Sequence, residues 1–179
     1  MQAQAFQVKI PVAQSPSITS MRPHISPRTF VHCLNALYVN TQVLAANVVS
    51  LHLSLAGQDK CPDATLILLS RLQLDLVEQT TALRRHIGLF RGVPAPVQEW
   101  ICYAELWRIP EVADLPTTST LLLNATDLLM DLYESMLPAA SGQYDRAVSY
   151  YLLAGHLVAL NEHWQALESC IQHLEVSTM

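Results

Sequence analysis

Apolar residues recur along this chain at alternating spacings of three and four, the signature of one stripe on an α-helix. The first such run reads Phe30, Leu34, Leu37, Thr41, Leu44, Val48, Leu51 and Leu55. It opens at Ser26-Pro27, a hydroxyl able to cap and a proline at the first helical position, where its missing N–H costs nothing. Gly57 closes it. Pro62 opens a second run of Leu69, Leu72, Leu76, Thr80, Leu83, Ile87 and Phe90, which Gly92 and Pro94 close. Between Pro96 and Pro110 lies VQEWICYAELWRI, long enough for a few helical turns.

Pro116-Thr117-Thr118 leads into a third helix with Leu122, Ala125, Leu129, Leu132 and Met136, which Pro138 and Gly142 are expected to interrupt. The fourth run is the longest: Ala147, Tyr150, Leu153, Leu157, Leu160, Trp164, Leu167, Ile171 and Leu174. Helices of about 27 residues span about 40 Å at 1.5 Å per residue, so the four match in length. A period near 3.5 favours the shallow crossing angle of left-handed bundles. The pattern therefore predicts an all-α four-helix bundle over 26–176, with one long crossover containing a short helix. Residues 1–25 hold Pro11, Pro16 and Pro23 without a sustained period, and read as an extended tail.

Composition changes the picture in one respect. Apolar residues make up 51% of the 179 and charged residues only 14%, well below the roughly one quarter usual in soluble domains. So few charges leave apolar surface on a lone copy, and such patches mark interfaces. A homo-oligomer is expected. The net charge is −5 with 10 Lys plus Arg, which argues against phosphate-driven nucleic-acid binding. The tail adds only Lys9, Arg22 and His24 as cations. No apolar stretch reaches membrane-spanning length and no signal segment is evident, so a cytoplasmic location is expected. Cys33, Cys61, Cys102 and Cys170 form no CxxC pair and read as isolated buried thiols.

Candidate chemistry is sparse. No Gly-x-Ser-x-Gly elbow, phosphate loop or HExxH is present. Asp75 with Glu78 and Asp127 with Asp131 sit three and four apart, a spacing that suits mineral nucleation in a cavity but is commoner on solvated helix faces. His86 beside Arg85 reads as a solvated or interface pair. Trp100, Tyr103 and Trp107 could anchor a partner protein.

The order of several short segments resembles the Dps family, the mini-ferritins described as DNA-binding proteins from starved cells. Leu34-Asn35, Asn47 and Leu51-His52-Leu53-Ser54-Leu55-Ala56-Gly57 are similar to that family's first helix. The stretch Leu83 to Pro94 resembles the close of its second helix, Trp100 falls in its small crossover helix, and Asn161-Glu162-His163-Trp164-Gln165-Ala166-Leu167 is similar to its last-helix run. The resemblance covers roughly 28–172. It implies a hollow shell of twelve subunits that takes in Fe(II), oxidises it with peroxide and stores ferric mineral, at times binding DNA.

The resemblance also implies an oxidation site between two subunits, with histidines and an acid from one and an Asp and Glu four apart from the other. Only His52 carries over. The acidic pair falls on Thr81 and Arg85, and no His or Glu follows His52 until Glu78. Iron takes carboxylate and imidazole ligands, whereas a guanidinium stays protonated. At about 4 Å and an effective dielectric near 20, like charges cost about 4 kcal/mol. The expectation is a shell subunit for iron storage and oxidative-stress protection whose usual ferroxidase centre is largely lost, possessing His52 alone and open to co-assembly with a related active subunit. Two alternatives stand beside it. One is an active ferroxidase with a rebuilt site joining His52 to His156 or His163, which lie seven residues apart with Cys170 on one stripe. The other is a helical scaffold without a metal role.

Overall fold

A computed structural model describes residues 25–56, 62–104, 115–140 and 146–177. They form four long α-helices: α1 (Pro27–Ala56), α2 (Asp63–Leu89), α3 (Leu115–Ala140) and α4 (Ala147–Ser177), with a 3-10 helix, Val97–Cys102, between α2 and α3. The all-α bundle expected from the periodicity is what the chain adopts. The predicted tail lies outside the described residues, apart from Ile25, as do Cys61, Trp107 and Gly142.

Every member of the first predicted stripe, Phe30 through Leu55, is buried. On α2 the fully buried positions are Leu69, Leu72, Leu76, Leu83 and Ile87. The third stripe differs by one position per turn. Thr126 and Tyr133 are fully buried beside Leu122, Leu129 and Met136, while Ala125 and Leu132 are only partly so. Pro138 does not interrupt α3, which runs to Ala140. Pro138 stands two residues from the end of α3, in the last turn, where the terminal carbonyls need partners from outside the helix in any case. Arg146 supplies one, donating from Nη1 to Ala139 O at 3.3 Å.

α1 packs beside α2 and α3, and α2 beside α1 and α4. Contacts at one end fix the directions. Phe30 meets Phe90 edge-to-face at 5.1 Å, and Arg146 lies over the Phe30 ring at 4.5 Å while donating to Ile25 O at 3.0 Å. The starts of α1 and α4 and the ends of α2 and α3 therefore share that end. α2 and α3 run parallel, so the connection between them must travel the length of the bundle. Asn35 fastens its beginning, donating to Val93 O at 3.1 Å and accepting from Ala95 N–H at 2.7 Å. Asn40 donates to Tyr103 O further along.

α2 ends in a Schellman arrangement. Gly92 N–H donates to Ile87 O and Arg91 N–H to Gly88 O, each at 2.9 Å. The left-handed residue is Arg91, at φ 56°. The predicted closing glycine stands one place later, where a Cβ would lie 2.5 Å from Val31 Cγ1. Gly92 thus serves close approach of helix ends.

Candidate functional site

The bundle's interior holds a chain of polar side chains drawn from three helices. Thr41 on α1 donates to Leu37 O at 2.7 Å. Its Oγ1 lies 3.4 Å from Tyr133 Oη on α3, and Tyr133 Oη lies 3.2 Å from His156 Nδ1 on α4. Proton counting orders this relay. The Thr41 hydrogen goes to Leu37 O, so the one Tyr133 hydrogen serves either Thr41 or His156 Nδ1; when it goes to Thr41, the remaining bond is made by Nδ1–H of a neutral His156. Nε2 is then left as an acceptor. Burial pushes the His156 ring down to about 4, with neighbouring His86 adding in the same direction. Burial also raises the Tyr133 phenol. Both groups are therefore neutral at physiological pH.

Beside the relay, an open cleft of about 570 Å³ separates α2 from α4. Gln79, Ala82, His156 and Ala159 line it together with Asp75, Val77, Glu78, Thr81 and Arg85. Gln79 is 4% exposed, and its Oε1 has no hydrogen-bond partner among the described residues.

The predicted site residues fall in different places. His156 belongs to the relay. His163 is hydrogen-bonded through Nε2 to Asp75 Oδ2 across the α2–α4 seam, so Asp75 is not a simple solvated carboxylate. His52 is half-buried on α1. Taking Phe30 and Arg146 as one level, rises of 1.5 Å per residue put His52 about 33 Å up, His156 about 15 Å and His163 about 25 Å. One ion could not join His52 to His156 within one chain. Among the described residues no group of three His, Cys, Asp or Glu side chains is placed to hold a metal. Thr81 and Arg85 are both exposed on α2, and Asp127 and Asp131 are exposed on α3.

His86 corrects its sequence reading. It is not a solvated partner of Arg85 but is 6% exposed, with Nε2 2.8 Å from Ser149 Oγ on α4, and burial lowers its pKa. Arg85 and His86 are adjacent, so a helix turns them about 100° apart, and α4 takes only one. Cys33 and Cys170 are free thiols, only half-buried. Trp100 donates Nε1–H to Ala95 O at 3.2 Å and packs with Tyr103 on the core, so both aromatics serve the crossover itself. Sequence reasoning missed the relay because Tyr133, like Thr126 two turns earlier, takes the place of an apolar residue in the α3 stripe. A tyrosine seven residues beyond a threonine, each four past one core leucine and three short of the next core position, was the available signal.

Comparison with known proteins locates the fold. No family model matches the chain, and no curated protein does. Solved structures do. A dodecameric thioferritin, the bacterioferritin-related protein of Bacteroides fragilis, superposes with TM-score 0.76 at 13% identity, covering 86% of this chain and 90% of that one. The Dps protein of Vibrio cholerae O1, a member of the ferritin-like diiron-carboxylate superfamily, gives 0.72 at 16% identity, covering 81% and 90%. An archaeal Dps homologue from Halobacterium salinarum gives 0.72 at 19%, covering 95% and 93%. The chain has the ferritin-like four-helix fold.

That fold can hold two metal ions between a Glu from each of two helices and a Glu-x-x-His from each of the other two. Pairs of that spacing lining the cleft are Asp75-x-x-Glu78 and Gln79-x-x-Ala82 on α2 and His156-x-x-Ala159 on α4. Thr41 and Tyr133 face them from α1 and α3. The carboxylates lining the cleft are Asp75, already bonded to His163, and the exposed Glu78, and among the described residues no three metal-ligating side chains come together there.

Proposed function

We propose that the chain is a divergent Dps-like subunit that builds a homo-oligomeric shell of about twelve copies for cytoplasmic iron storage and oxidative-stress protection. Its own residues supply packing and assembly, and the usual ferroxidase centre has been lost. The observation that carries this reading is the outer surface of a ferritin-like bundle. Of the large apolar side chains left exposed, Ile67, Leu74, Val77 and Leu89 lie on α2, and Val148, Tyr150, Tyr151 and Val158 lie on α4. Leu74 is 65% and Tyr151 75% exposed, and surface of this kind calls for cover by other copies.

Iron enters this reading as cargo. Fe(II) oxidation falls to a co-assembled relative carrying the complete ligand set, or proceeds at the rate of solution chemistry. The tail and the acidic balance give DNA little to hold, and no described helix is long and apolar enough to cross a membrane.

Native mass measurement decides the assembly: a particle near twelve subunits is expected, and a 20 kDa monomer ends the proposal. Absorbance after anaerobic Fe(II) loading and air admission decides the chemistry. The expected rate equals the protein-free rate and is unchanged by His52→Ala. Saturable oxidation lost in that variant would instead make the chain an enzyme.

A further inference from the structure

We infer that a second copy of this chain packs on the outer face of α2 as a two-fold dimer, the two α2 helices antiparallel with Leu74 of each beside the axis. The inference rests on the reading above that other copies cover this surface, and adds which face they use and in which register. One stripe of α2 points away from the other helices. At about 100° per residue, Asp63, Ile67, Leu74, Thr81 and Arg85 fall within about 20° of one line, with Arg71 and Glu78 together on one flank. All seven are exposed, and Leu74, at the middle, is 65% so.

The charges on this stripe select the partner. Asp63 stands eleven residues before Leu74 and Arg85 eleven after it, while Arg71 stands three before and Glu78 four after. A two-fold axis at Leu74 therefore lays Asp63 against the partner's Arg85 and Arg71 against the partner's Glu78, and symmetry makes each pair twice. Sliding the copies by one heptad in either direction sets Asp63 against Glu78 or Arg71 against Arg84, like charge on like. Parallel copies in register would stack every charge on its own kind. The pattern admits one orientation and one register, which is the mark of a helix that recognises itself.

Area is the second consideration. The stripe is about 33 Å long and about 10 Å wide, or about 330 Å² per copy, short of the roughly 800 Å² that a stable interface buries on each side. Helix α1 supplies the rest. It flanks α2 and carries no Asp, Glu, Lys or Arg from Thr29 to Ala56. A partner can cover its outer side, including the exposed Ala46 and Leu53, without stripping water from a charge. The shallow groove of about 420 Å³ between the two helices, lined by Ala45, Ala46, Val77 and Thr80 among others, belongs to the same face.

Sedimentation and native mass measurement of the full-length protein over a concentration series test the inference. Arg71→Glu and Glu78→Arg each set like charges across the axis, and each should raise the dimer dissociation constant at least about tenfold. The double variant Arg71→Glu/Glu78→Arg restores opposite charges across the axis and should return the constant to within about threefold of the parent. The two positions are about 10 Å apart along one helix, so the rescue cannot arise inside one chain. Both are exposed, so circular dichroism should be unchanged in every variant. Leu74→Cys should join position 74 of one copy to position 74 of another on mild oxidation, read as a linked peptide by mass spectrometry. Single variants as tight as the parent, a double variant as weak as the singles, or absence of that peptide overturns the inference. Particle size separates it from the shell reading. A two-copy particle that obeys the charge swap ends the shell and keeps this interface; a twelve-copy particle indifferent to the swap ends this interface and keeps the shell.

Discussion

Replacing Tyr133 with Phe removes one oxygen from the middle of the bundle and keeps the ring, whose centroid stands 5.7 Å from that of His156, edge-on at 79°. Thr41 loses little, because its own hydrogen still goes to Leu37 O. His156 loses the acceptor for Nδ1–H. A buried donor left without a partner costs about 1–3 kcal/mol, so Tyr133→Phe should destabilise by about 2 kcal/mol. With a urea m-value near 2 kcal/mol/M, the midpoint falls by about 1 M. Protein concentration must be held fixed, since assembly adds to apparent stability. The decisive arm is Tyr133→Phe combined with His156→Phe. Removing both partners leaves nothing unsatisfied, so the double variant should recover most of the loss. A single variant within about 0.5 kcal/mol of the parent would refute the proton assignment, as would a double variant worse than the sum of its parts.

Acid should loosen the same region. The His156 ring is held down to about 4, against about 6.5 in the unfolded chain. Between those values the unfolded state binds the extra proton, so stability is complete above about pH 6.5 and declines as pH falls toward 4, by up to about 3 kcal/mol. His86, lowered by burial, contributes with the same sign. Denaturation midpoints from pH 7.5 to 4 should show the decline and show it reduced in His156→Phe. Arg91→Gly relieves a left-handed backbone and should stabilise by about 1 kcal/mol, read as a higher midpoint; a lower one would mean the Arg91 side chain has a task of its own. At Gly155 a Cβ meets nothing within 4 Å, so Gly155→Ala should stabilise by up to about 1 kcal/mol. Loss of stability there, seen together with loss of assembly, would locate a neighbouring backbone against α4. Gly92→Ala should do the opposite, because its Cβ would collide with Val31.

The fold was legible because burial and helical period coincide. Phe30, Leu34, Leu37, Leu44, Val48, Leu51 and Leu55 announce α1 unaided, and all of them are buried. Tyr150 shows the limit of that reading: it continues the α4 stripe, yet it is 37% exposed. Its place against α2 is taken by Ser149, which hydrogen-bonds His86. Apolar pattern alone does not say which side of a seam a polar pair will occupy. The candidate site was less legible still. His156 stood out as a histidine, but its chemistry depends on Tyr133 and, through it, on Thr41, each distant in sequence and each set by how three helices turn against one another. Pro138 misled for a related reason: proline removes one intrahelical bond, and this one stands only two residues from the end of α3, where the helix has little left to lose.

The two asparagines that hold the start of the crossover have a bearing on how the protein is made. Asn35 reaches residues 58 and 60 places later in sequence, and Asn40 one 63 places later. Every group in that clasp has been synthesised before α3 begins. As the chain emerges from the ribosome, α1 and α2 can close into a hairpin and lock the connector along its flank. The second hairpin then meets a template whose direction is already chosen, and the simpler route that would set α3 antiparallel to α2 is closed before α3 exists.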